Sequence, residues 1–406
     1  MGFDAMRLDL SLPVVLIAIA ETVIWGALFY VFPILLLRWE GDFGWSREEI
    51  APAFTLALVV AALASPLAGR LIDRGLSRLM FPGAALLGAA ALAWLSTVET
   101  KAAFYAAWAV IGLACAACLY EPCFAFLTRR KGVEARGAIT TVTLAAGFAS
   151  TLCFPVADAV AASAGWRVAA LSLAGAAAFV AAPLFAVGCA LLEGKGAPRP
   201  TAEERAEDRV ELRATLRRPV FWFLAGAFPA LALTHGMTIS HLLPILGDRG
   251  LEPGAAVLAA SLIGPCQVAG RVFMTFAGAN RTAGFIALCS FLVIAASCFL
   301  LTLAASPAAI FAAVVLFGAG YGVLSIVRPL VAADYLGRKG FGAKSGALAL
   351  PYIACGAAAP TVAALLWDFG GYDLTLVVGG GLALVGIALV YAASLRAKFD
   401  PGGLPR

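Results

Sequence analysis

Of the charged or titratable side chains inside long apolar runs, where an ionised group is expensive enough to need a reason, five are the leading candidates for chemistry. They are Glu21, Glu121, His235, Arg271 and Arg328. An arginine fork suits a carboxylate because it binds both oxygens, and Gln267 stands one helical turn before Arg271 as a neutral hydrogen-bond partner. That pair predicts a contact for an anionic group. A structural ion pair, or snorkelling towards the headgroups, is the plainer alternative. Glu21 is the one acid deep in the first run, which makes it a candidate proton carrier or a paired structural charge. Glu121 is the second candidate for the proton. His235 is a candidate substrate or proton contact, with hydrogen-bonded packing as the competing role. Trp25, Tyr30, Tyr120, Tyr321 and Tyr352 are candidates to line a cavity for a planar solute.

Other chemistries find less support. The two histidines have no Asp, Ser or Cys partners at active-site spacing, so no catalytic residue and no enzyme is expected. All nine cysteines fall within apolar runs, which argues against a disulfide framework. Cys115 and Cys118 share a helix face, with Cys123 in the same run. A thiolate site for a soft metal or arsenite is the alternative there to small apolar packing residues. Packing is the expectation, with no metal site and no cofactor.

The elements that must position these groups are apolar runs of about 20 residues, the length that crosses a bilayer. They fall at 13–37, 50–71, 78–98, 102–127, 138–161 and 167–191, then at 220–246, 254–277, 282–305, 307–332, 343–367 and 373–395. Hydrophobic residues make up 62% of the chain and charged residues 13%, far from a soluble domain, where about a quarter are charged. Two sets of six runs are the plan of a two-bundle secondary transporter, with its solute site near the midplane.

The net charge of +5 does not point to nucleic acid. Of the 29 Lys and Arg, 22 fall on one side of this topology, five on the other, and Arg271 and Arg328 within runs. That bias predicts cytoplasmic termini. Segment 192–219 is polar, with charges alternating in sign, and reads as a partly helical cytoplasmic linker between the halves. The halves also repeat. Glu121-Pro122, Arg130-Lys131-Gly132 and Ala135-Arg136-Gly137-Ala138 align with Arg328-Pro329, Arg338-Lys339-Gly340 and Lys344-Ser345-Gly346-Ala347, given two single-residue gaps. Glu121 and Arg328 thus occupy matched positions with opposite charge and are candidates for an inner gate. Pairing within each half is the alternative.

The loop after the second run reads Gly69-Arg70-Leu71-Ile72-Asp73-Arg74-Gly75, followed by Arg78. Gly69 permits close helix contact, and Asp73 can pair with cations or with a helix N-terminus, holding the inner side shut in one state. The competing reading is a basic loop that only sets topology. This segment resembles the signature loop of the major facilitator superfamily, Gly-x-x-x-Asp-Arg/Lys-x-Gly, one residue shorter before Gly75. Trp25-Gly26-Ala27-Leu28-Phe29-Tyr30, Tyr120-Glu121-Pro122-Cys123-Phe124-Ala125 and Gly264-Pro265-Cys266-Gln267-Val268-Ala269-Gly270-Arg271 resemble its bacterial monocarboxylate and oxalate/formate branch. Relatives there carry a substrate-anion arginine at the place of Arg271, and an Asp where this chain has Gln267.

The resemblance implies an all-α membrane protein of twelve transmembrane helices in two pseudo-symmetric six-helix bundles, 1–191 and 220–406, joined by 192–219. It implies alternating-access transport of a small organic anion, coupled to protons, by a monomer in a bacterial cytoplasmic (inner) membrane. Gly69, Asp73, Arg74, Glu121 and Arg328 would gate; Arg271, Gln267, Tyr30, Trp25, Tyr120, Tyr352 and His235 would meet the solute. Efflux of a drug or metalloid, or uptake of an aromatic vitamin such as a flavin, keeps the fold and changes the cargo. A non-transporting pigment or assembly factor changes the class.

Overall fold

The computed structural model describes residues 8–194, 201–278 and 281–399, and every regular element among them is a helix. Ten helical stretches among these residues are long and apolar enough to cross a bilayer. Two features reconcile ten with the twelve runs of the sequence. The stretch Phe341–Ala397 has 57 residues, long enough for two crossings, and it breaks at Gly370 and Gly371, where Gly371 takes φ 67°. The run 138–161 divides between Ala146 and Ala149 into two shorter helices. The two chain ends, read from the charge bias as cytoplasmic, lie outside the described residues, as does 195–200 of the linker.

The chain forms two compact units. The first holds the described residues of 7–211 together with Lys339–Leu350. In order it contains α1 (Leu12–Ile24), a π-helical turn (Trp25–Tyr30), α2 (Val31–Phe43), α3 (Arg47–Asp73), α4 (Ser77–Leu95), α5 (Lys101–Cys118), α6 (Tyr120–Lys131), α7 (Ala135–Ala146), α8 (Ala149–Ala164), α9 (Trp166–Ala176), a second π-helical turn (Ala177–Ala181) and α10 (Ala182–Glu193). The linker forms α11 (Ala202–Arg217). The second unit holds the described residues of 212–338 and 351–406. Its helices are α12 (Pro219–Ser240), α13 (Leu242–Asp248), α14 (Pro253–Ser261), α15 (Ile263–Ala277), α16 (Ala283–Leu303), α17 (Pro307–Leu336) and the greater part of α18 (Phe341–Phe399).

Proline decides where several helices stop. A proline ring collides with the carbonyl four residues back and supplies no N–H to it. Accordingly α5 ends at Cys118, four before Pro122, α12 ends at Ser240, four before Pro244, and α14 ends at Ser261, four before Pro265. Both π-helical turns lie just ahead of a proline, Pro33 and Pro183, where the freed carbonyls let the ladder slip to wider bonds. These breaks set Trp25, Tyr120 and Glu121 at irregular points of otherwise continuous spans.

The helices are apolar on most sides, so their outer faces remain apolar as well. Phe179 is 84% exposed, Phe276 77% and Leu303 80%, a surface suited to acyl chains. On α1 the buried stripe runs Val14, Ile17, Glu21, Ile24, at spacings of three, four and three. Glu21 therefore occupies a core position of a helix stripe. Near the other end of the same span the Asp42 carboxylate accepts from Trp166 Nε1 at 2.9 Å and Arg167 Nη1 at 2.6 Å. These two donors hold its carboxyl below the ordinary Asp range, Trp166 first.

Candidate functional site

In the second unit, α15 and α17 approach until backbone meets backbone. Gly270 faces the Ala319 carbonyl, and Gly322 faces the backbone of Gln267, with no room for a Cβ at either glycine. The sequence reading did not single out these glycines, although Gly318-x-x-x-Gly322 is a small-residue pair that lets helices close. This approach lets Arg271, 6% exposed, donate Nε–H to the Gly322 carbonyl at 3.1 Å. The same carbonyl accepts the Ser325 hydroxyl at 2.8 Å. The guanidinium plane is thus fixed by backbone. Gln267 lies one turn away on α15, its backbone forming the seat for Gly322.

From Gly322 a row of side chains runs along α17. Phe317, Tyr321 and Arg328 fall at intervals of four and seven residues and so share a face. The Arg328 guanidinium lies over the Tyr352 ring, 3.9 Å from its centroid. The Tyr352 and Tyr321 hydroxyls are 2.9 Å apart. The Tyr321 ring stacks on His235 of α12 with centroids 3.3 Å apart and planes 10° from parallel, and Phe317 extends the stack at 5.7 Å. The His235 Nε2 is enclosed and has no hydrogen-bond partner among the described residues. His235, Tyr352 and Arg328 are therefore linked through Tyr321, a residue that spacing alone did not set apart from the other tyrosines. Phe317 was not singled out at all, although its four-residue spacing to Tyr321 was visible. The second histidine, His241, lies near Tyr372 and the Pro360 carbonyl at 3.4 and 3.3 Å.

The first unit has its own aromatic group. The Trp25 ring lies 4.7 Å from Tyr120, 4.9 Å from Phe29 and 6.2 Å from Tyr30. Tyr120 stacks on Phe124 at 4.9 Å, and Tyr30 meets Phe154 at 5.9 Å. Beneath this group lies Glu21, with no exposed surface. The Cys123 thiol and the Trp25 indole nitrogen face its carboxyl, but neither closes to a full hydrogen bond. A buried polar group left this way calls for an explanation, and a transient proton is one. All nine cysteines are free thiols. Glu121, in the first turn of α6, lines a narrow crevice with Gly69, Pro122, Gly342 and Gly346.

At the end of α3 the Asp73 carboxylate accepts the Gly342 amide at 2.9 Å and the Ala343 amide at 2.6 Å. These are among the first N–H groups of α18, which have no partner within their own helix. Arg129 Nη1 stands 3.3 Å from the same carboxylate. Gly69 makes this approach available: a Cβ there would run into the Gly342 carbonyl. Arg74 caps α3 and is exposed.

Residues 14–342 match the sequence model of the Major Facilitator Superfamily. Among solved structures, the chain is similar to a variant of the E. coli fucose:proton symporter FucP, at 14% identity and TM-score 0.72, covering 94% of this chain and 98% of that one. It is similar to the proton:xylose symporter XylE bound to 6-bromo-6-deoxy-D-glucose, at 12% identity and TM-score 0.71, covering 94% and 95%. The human organic anion transporter TETRAN matches at 18% identity and TM-score 0.66, covering 93% and 98%. No curated protein matches it in sequence.

Proposed function

The chain belongs to the major facilitator superfamily, as a multi-pass membrane transporter rather than an enzyme, and from that premise we propose that its cargo is a small organic anion. The observation that carries this reading is Arg271, a buried guanidinium within a membrane span whose plane is fixed by the Gly322 carbonyl. A charged side chain buried within a span marks a solute or ion pathway, and a preset fork loses little freedom on gripping a carboxylate. A monocarboxylate is the first cargo to test. Fold kinship does not choose among cargoes.

Glu21 is the proposed proton carrier: it is enclosed, and its carboxyl lacks a full hydrogen bond. The Asp73 contact with the first amides of α18 is the proposed inner lock, made in one state of the cycle and broken in another. The proposed setting is a bacterial inner membrane, with the protein acting as a monomer. A second reading, a planar aromatic solute such as a flavin, is favoured by the Trp25–Tyr120 and His235–Tyr321 stacks.

The test is uptake by purified protein in proteoliposomes under an imposed proton gradient, with monocarboxylate, flavin and arsenite panels. A monocarboxylate should be concentrated. Arg271→Lys, which keeps charge but loses the fork, should lower its uptake about tenfold or more, equivalent to one charged hydrogen bond. Full uptake by Arg271→Ala removes the anion assignment.

A further inference from the structure

The loop that leads into α18 is held from two sides. Asp73 holds the amides of Gly342 and Ala343. From the other side, the linker helix α11 offers acids one turn apart, at 207 and 211, so that both point the same way. Lys339 Nζ reaches Glu207 at 2.6 Å, and Lys344 Nζ reaches Glu211 at 3.0 Å. All of these residues belong to one compact unit.

The two pairs differ in environment. Lys339 and Glu207 are both more than half exposed, a setting in which an ion pair contributes little. Lys344 has no exposed side-chain surface, and lysine is almost never so enclosed unless paired. Its position is also unfavourable for a cation. It sits in the first turn of α18, where the helix dipole prefers negative charge. A passive tether between bundles requires neither a buried cation nor an acid facing it.

We propose that Glu211, assisted by Glu207, is a positioning residue for the inner lock: the linker helix holds Lys344 and Lys339 so that the first amides of α18 stay aimed at Asp73. The linker then sets how tightly the lock closes, and any change that moves α11 alters the transport cycle without touching the solute. This rests on the gating reading of Asp73 given above, and the experiment separates the two.

Hydrogen–deuterium exchange is followed at Gly342 and Ala343 in the full-length protein in lipid nanodiscs. Asp73→Asn should speed exchange there about tenfold or more, since a charged hydrogen bond is lost. Glu211→Gln should do the same, because it removes the carboxylate that holds the enclosed Lys344 ammonium from the α11 side. A double variant, Glu211→Gln with Lys344→Met, guards against simple misfolding. Replacing an enclosed pair by uncharged groups commonly leaves the fold as stable as before, so its melting temperature should match the wild type while the two amides still exchange fast. Wild-type exchange in the double variant, beside fast exchange in Asp73→Asn, overturns the positioning role and leaves the lock standing. Wild-type exchange in Asp73→Asn overturns the lock itself.

Discussion

Gly322→Ala tests the geometry beneath the anion reading. A Cβ at Gly322 would lie 2.6 Å from the Gln267 Cα and 2.7 Å from its carbonyl carbon, and both are backbone atoms that cannot swing aside. Carbon atoms rest about 3.5–4.0 Å apart, so α15 and α17 must part by roughly 1 Å. Overpacking of this kind costs about 1–3 kcal/mol. The same displacement would stretch the 3.1 Å Arg271–Gly322 hydrogen bond beyond useful range. A lost charged hydrogen bond adds about 1.5–3 kcal/mol. Alanine returns about 1 kcal/mol through helix propensity. The net loss is about 1.5–5 kcal/mol, which at about 2–4 °C per kcal/mol lowers the melting temperature by at least about 3 °C. Gly356→Ala is the control: it lies within a helix of the same unit, and a Cβ there meets nothing within 4 Å. It should melt at or slightly above the wild-type temperature. Thermal unfolding followed by tryptophan fluorescence, with solute uptake in proteoliposomes, measures both effects. If Gly322→Ala melts and transports like Gly356→Ala, the close approach of α15 and α17 does not orient Arg271, and the argument from a fixed guanidinium fails.

Further outcomes follow from other groups. His235→Leu removes a ring nitrogen that is enclosed without a partner, worth about 1–3 kcal/mol, and forfeits a ring stack worth about 0.5–1.5 kcal/mol. The variant should therefore be at least nearly as stable as the wild type while losing uptake, and a melting temperature many degrees lower would contradict the reading. Glu21→Gln should abolish proton-driven accumulation yet retain solute exchange across the membrane; an unaltered pH profile removes Glu21 from the coupling role. Lys339 is held above its ordinary value of 10.5 by Glu207, and Glu207 below its ordinary 4.5 by Lys339. The carboxylate's contribution is present above 4.5 and fades as pH falls through its lowered value. The ammonium's is present below 10.5 and fades as pH rises through its raised value. Protection of the loop before α18, corrected for intrinsic exchange, should show no contribution from this pair changing between about pH 6 and 9, and it should weaken in about 1 M salt. A titration of this pair near neutrality would refute the assignment.

The apolar runs and the charge bias were legible in the sequence because each is a local property. Hydropathy adds up residue by residue along a span, whatever the span packs against. The helix stops before Pro122, Pro244 and Pro265 were not read from the sequence, where the apolar runs continue through all three, because prolines such as Pro66 and Pro329 stand inside unbroken helices. The signature loop fixed Asp73 as an acid at a helix end. Only the fold chose its partners, the Gly342 and Ala343 amides and Arg129, which lie 269, 270 and 56 residues away in the chain. Trp25 with Tyr120, and His235 with Tyr321, were candidates on unassigned faces until the tertiary structure stacked them. The physical reason is that helices apolar on nearly every side carry little amphipathic signal, so the sequence cannot say which face turns inward. What it determined was which stretches are apolar and long enough to cross a bilayer. Which of them touch was decided by helix packing, through close approaches such as Gly322 on Gln267.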